Sequence, residues 1–177
     1  MNFHKQNERH ENQSVRRLLA RQDWGFFGRE GRSVRNIRML TRRLREKTID
    51  VGVIGIGENA HIAFNDPPAD FDTKQAYIIV NLDSRCKKQQ VGEGWFKDED
   101  EVPRQAVSMT PYQIMQCAHI ISPVPHKVKA DAVKKVLSAK TVDPMVPGSL
   151  LKTHPDFQLF LDEESAANCS EEMLAGN

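Results

Sequence analysis

The chain has 177 residues, with 25 Lys+Arg against 24 Asp+Glu, 39% hydrophobic and 28% charged residues. This length and balance fit one soluble α/β-sized domain with its own core and exclude a disordered polyelectrolyte. No apolar run reaches the roughly 18 residues that span a bilayer, and the opening residues are polar, so no membrane contact and a cytoplasmic location are expected.

Cys86, Cys117 and Cys169 are odd in number and far apart, in no CxxC or Cys/His spacing, so they read as free thiols and no metal site is expected. The neutral total hides an asymmetry: residues 1–47 hold 13 Lys+Arg and five Asp+Glu, and the remainder is acidic. Residues 1–32 read as a polar, basic, partly helical segment and residues 33–177 as a single α/β domain.

In chain order, residues 1–12 look frayed and Ser14–Arg21 reads as a short helix. From Ser33, a candidate cap, to Lys47 the residues Val34, Ile37, Leu40 and Leu44 recur at helical spacing. Arg35, Arg38, Arg42, Arg43 and Arg45 then form a solvated face. No aromatic stacking pattern accompanies this charge, which speaks against a nucleic-acid partner. Thr48–Ile54 is a β-branched run expected as a strand buried on both faces. It ends in a glycine-containing loop, at the sheet edge where ligands bind in open α/β folds. Pro67-Pro68 stops any helix.

Ala76–Leu82 reads as a second strand, Asp83–Glu93 as a helical turn or loop, and Gly92 to Glu101 as exposed loop. Val107 and Ser108 suggest a short strand, Thr110 or Pro111 starts a helix through Gln116, and Ala118–Ser122 is a third strand candidate. Lys127–Leu137 is an amphipathic helix through Val128, Ala132, Val133, Val136 and Leu137. A proline-rich linker, Pro144–Pro147, precedes Gln158–Leu161 as a strand and Asp162 as N-cap of a helix through Asn168. Alternating strands and helices without a fixed repeat predict an α/β layered fold, a mostly parallel Rossmann-like sheet flanked by helices.

The loop Glu58-Asn59-Ala60-His61-Ile62-Ala63-Phe64-Asn65-Asp66-Pro67 concentrates a histidine, two carboxylates and two carboxamides. Histidine gives and takes protons near neutrality, and Asn59 or Asp66 could fix its tautomer. The residues allow a catalytic or ligand loop and, as the alternative, a hydrogen-bonded structural loop. Gly55 to Ala60 also spells GxGxxA, yet His61 and the Asn65-Asp66-Pro67-Pro68 break leave no helix for a dinucleotide fingerprint.

The stretch Gly55–Pro67 resembles the signature loop of the glucosamine-6-phosphate deaminase family, G-x-G-x-D-G-H-I-A-F-N-E-P, and especially its divergent GENGHIAFNDPP branch. Leu82–Phe96, Val102–Thr110, Lys129–Val133, His154 and Asp162–Ala167 follow in matching order, so the resemblance covers roughly residues 40–168. The sister 6-phosphogluconolactonases read differently in the loop, closer to G-H-T-A-S-L-F-P. The resemblance implies that His61 opens the sugar ring as acid and base, assisted by Asn59 and Asp66, without metal or organic cofactor. It implies substrate binding by Gly57, Ala60, Asn65 and Lys129, the last as a phosphate ligand whose alternative is a solvated helix lysine. Arg85 or Lys88 would compensate for Gln89-Gln90, which stand where better-known members carry a phosphate-binding Arg. The resemblance implies a phosphorylated amino sugar as partner, and a homo-oligomer is expected beside it.

Three departures stand out. Asn59 replaces an Asp, Ala60 replaces a Gly, and residues 1–47 show no strand-like run and neither the family's Ser/Gly-rich phosphate loop nor the acidic residue that moves the carbon-bound proton. The chain therefore reads as the C-terminal part of the deaminase fold, either an active deaminase or an inactive sugar-phosphate-binding remnant, with lactonase activity as a further alternative.

Overall fold

The computed structural model describes residues 30–175, which fall into two units that divide after Met39. The expected helix Ser14–Arg21 and the frayed residues 1–12 lie outside the described residues. Helix α1 (Glu30–Leu44) carries Arg35, Arg38, Arg42 and Arg43 exposed, while Ile37, Leu40 and Leu44 are half-buried, as the apolar spacing requires. It is already helical at Glu30, so Ser33 lies inside the helix and not at its cap.

The second unit holds β1 (Val51–Val53), β2 (Tyr77–Asn81), α2 (Ser84–Gly92), β3 (Gln105–Met109), α3 (Pro111–Ile114), β4 (His119–Val124), α4 (Ala130–Ser138), β5 (Phe157–Leu161), α5 (Glu163–Ala166) and α6 (Glu171–Leu174). Strands β1, β4 and β5 form a parallel sheet in that order. Strands β2 and β3 stand apart as an antiparallel pair, from Tyr77 opposite Met109 to Asn81 opposite Gln105. The proline-rich linker becomes a 3-10 turn, Pro147–Thr153, and the start of the expected Lys127–Leu137 helix is likewise 3-10 over Lys127–Lys129.

Period-two burial sorts the parallel sheet into two unlike faces. Ile120, Ser122 and Val124 of β4 point into a core completed by Ala132, Val133 and Val136 of α4 with Ile56, Ile62, Ile114 and Leu151. On the opposite face Val51 is 46% exposed, Val53 67% and Phe160 54%. The expectation that β1 is buried on both faces is therefore corrected. The β-branched run does form a strand, but only one of its faces meets a packed layer among the described residues.

His154, a conspicuous histidine in the sequence, is buried as a structural tie. Its Nε2 lies 2.9 Å from the Cys117 carbonyl, and its Nδ1 accepts the Asp156 backbone N–H at 3.1 Å. Its two ring nitrogens are thereby occupied.

Candidate active site

After β1 the chain makes a tight loop at the C-terminal end of the parallel sheet. Ala60 N–H donates to the Gly57 carbonyl and Gly57 N–H to the His61 carbonyl, both at 2.9 Å, while Ile56 and Ile62 drop into the core. These bonds close the loop and hold His61 against a packed layer. Gly57 is required there by close approach: a Cβ on it would lie 2.2 Å from His61 Nε2. Ala60 adopts φ 69° and is fully buried, so the residue that departs from the family pattern sits in the left-handed region where glycine is favoured.

His61, Asn59 and Asp66 form one cluster. The imidazole Nδ1 is 3.0 Å from Asp66 Oδ1, a close charge contact that is out of line for a directed hydrogen bond. Asn59 donates from Nδ2 to the same Asp66 oxygen at 2.9 Å, and its Oδ1 accepts the His61 backbone N–H at 3.0 Å. Asp66, not Asn59, is thus the group facing the ring. Burial raises the Asp66 pKa, but the His61 and Asn59 interactions and the Arg85 charge outweigh it and hold the carboxyl below its ordinary value. An ionised Asp66 favours the proton on Nδ1 and leaves Nε2 as the nitrogen free to exchange protons.

His61 lines a cavity of about 460 Å³ together with Gly57, Gln89, Gln90, Glu93, Ser108 and Lys129. Lys129 closes the 3-10 turn at the N-terminal end of α4, and among the described residues no carboxylate pairs with it. An ammonium beside the positive end of a helix is a suitable receptor for a phosphate dianion.

The other candidates take different places. Asn65 donates from Nδ2 to the carbonyls of Ile62 and Met109, both at 2.8 Å, tying the loop to β3 away from the cavity wall. Arg85 is exposed on α2 and acts on Asp66 through its charge, outside the cavity lining. Ala60, Asn59 and Asp66 likewise support the loop from behind the wall. Sequence reasoning passed over Glu93 and Ser108 as cavity residues. The signal for Glu93 was weak, a Gln89/Glu93 spacing of four in a segment read as turn or loop.

No protein-family model matches the chain. A glucosamine-6-phosphate deaminase of Staphylococcus epidermidis is 37% identical to it over 121 residues, 68% of this chain and 48% of the relative. Over this stretch the chain is similar to glucosamine-6-phosphate deaminases. It spans about half the length of the curated relatives it matches. Among solved structures, a monomeric glucosamine-6-phosphate deaminase superposes with a TM-score of 0.66 at 29% identity, covering 78% of this chain and 54% of that one. A 6-phosphogluconolactonase from Trypanosoma brucei shares the fold, with a TM-score of 0.58 at 18% identity over 80% of this chain and 56% of that one.

Proposed function

We propose that the cavity binds glucosamine 6-phosphate and that His61 opens its ring on the way to fructose 6-phosphate and ammonia. The observation that carries this reading is the juxtaposition of His61, backed by Asp66 and Asn59, with the unpaired Lys129 in one cavity. Lys129 would hold the phosphate as a point charge. His61 Nε2 would take the proton of the anomeric hydroxyl and return it to the ring oxygen, with Asp66 steadying the imidazolium between the two steps. Transfer of a proton from carbon 2 to carbon 1, followed by addition of water and loss of the amine, completes the balance. The associated expectations are a cytoplasmic location and assembly into a homo-oligomer; among the described residues no helix is long and apolar enough to cross a membrane.

A second reading is sugar-phosphate binding without turnover. Ammonia release from glucosamine 6-phosphate separates the two. Turnover is expected to fall about 100-fold or more in His61→Ala while phosphate-dependent binding persists. Binding by a folded sample without ammonia release would instead establish the second reading. Hydrolysis of 6-phosphogluconolactone in place of deamination would assign the site to the lactonase chemistry of its fold neighbour.

A further inference from the structure

The cavity holds one group to which neither the signature loop nor the ring-opening chemistry gives a task. Glu93 caps the C-terminus of α2 and lines the cavity with His61 and Lys129. Its Oε1 accepts from Gln89 Nε2 at 2.8 Å and its Oε2 from Trp95 Nε1 at 3.2 Å. A carboxylate offers about four acceptor positions, so these two bonds orient it and leave roughly half its capacity open. Among the described residues no Lys or Arg forms an ion pair with it. A negative charge at a helix C-terminus is also disfavoured by the helix dipole. Glu93 thus places on the cavity wall a carboxylate that is oriented by two neutral donors and paired with no cation among the described residues.

The environment of Cys86 locates that charge. Burial, with the charges of Asp66, Asp83 and Glu93 added, pushes the Cys86 thiol up to about 11. Glu93 therefore shares an electrostatic neighbourhood with Asp66, the residue that faces His61. The wall presents an ammonium at Lys129 and a carboxylate at Glu93, a pattern complementary to a ligand bearing an anion and a cation.

We propose that Glu93 is the receptor for the ligand's protonated amine, so that the cavity selects zwitterionic amino-sugar phosphates over neutral-hydroxyl and N-acylated ones. This rests on the sugar-phosphate reading above and adds the means of discrimination. Glucose 6-phosphate lacks the cation and N-acetylglucosamine 6-phosphate has it neutralised, so neither offers Glu93 a charge to pair with.

Titration calorimetry of the full chain with these three sugar phosphates tests the assignment. Glucosamine 6-phosphate is expected to bind about tenfold or more tightly than glucose 6-phosphate, the range of a charged hydrogen bond. Glu93→Gln is expected to remove that preference while leaving glucose 6-phosphate binding unchanged, and Glu93→Asp to restore part of it. A preference that survives in Glu93→Gln, or equal binding of all three by the parent chain, overturns the role of Glu93 and leaves the sugar-phosphate reading standing. Failure of a folded sample to bind any of the three overturns both.

Discussion

His61 is held by three residues of different kinds. Gly57 makes room for the ring, Asp66 faces Nδ1, and Asn59 bridges the Asp66 carboxylate and the His61 backbone. Because the Asp66 pKa is lowered in the folded chain, its ionised form stabilises the fold above the ordinary carboxylate value of 3.8. That contribution is lost as pH falls through the lowered folded value. The stability difference between the parent chain and Asp66→Asn, measured by urea unfolding, is expected to be constant above about pH 5 and to shrink below pH 4. A difference independent of pH would show that Asp66 does not act as a charge. The chemistry of this loop was legible because a histidine among carboxylates and carboxamides is unusual in any context. The division of labour was not, since Asn59 and Asp66 have similar reach and only the folded loop shows which one meets the ring.

At the scale of elements, Thr110 joins two structures that the sequence treated separately. Its Oγ1 accepts the Gln113 N–H at 3.1 Å as the N-cap of α3 and donates to the Gln75 carbonyl at 2.6 Å just before β2. Thr110→Val keeps the volume, removes the cap and orphans a carbonyl, and should cost about 2 kcal/mol in chemical denaturation. A loss below about 0.5 kcal/mol would mean that α3 is held by packing alone. Helix α2 has the complementary history. Its polar sequence gave little amphipathic signal, yet Asp83 caps it by accepting the Cys86 N–H at 2.7 Å, and Cys86 buries beneath it. The antiparallel pairing of β2 with β3 was equally hidden, because period and propensity mark strands but not their partners.

The molecule-scale feature is the sheet face that no layer of the described residues covers. In the strand register Val53 lies beside Ile121 and Pro123 beside Phe160, so the exposed apolar side chains are continuous across the sheet. Parallel sheets ordinarily carry a layer on both faces, and exposed apolar sheet surface promotes association. The 177-residue chain is expected to self-associate as concentration rises, in light scattering coupled to size exclusion. Val53→Lys, which places a charge on the β1 edge of this face, should shift the distribution toward monomer without lowering stability by more than about 1 kcal/mol. A parent chain that stays monomeric at all concentrations would show that the face tolerates water.

The strand and helix candidates of the second unit, the amphipathic α1, and the loop from Gly55 to Pro67 with His61 at its centre were legible in the residues alone. These rest on local periodicity and on residue chemistry that is readable one segment at a time. The tertiary structure decided the rest. It separated β2 and β3 from the parallel sheet, left Val51 and Val53 in solvent, set Ala60 at positive φ, and brought Glu93 and Lys129 to the wall shared with His61. Each of these depends on which distant segment lies opposite, and hydrophobic burial is non-directional, so it selects that partner only once the whole core has closed.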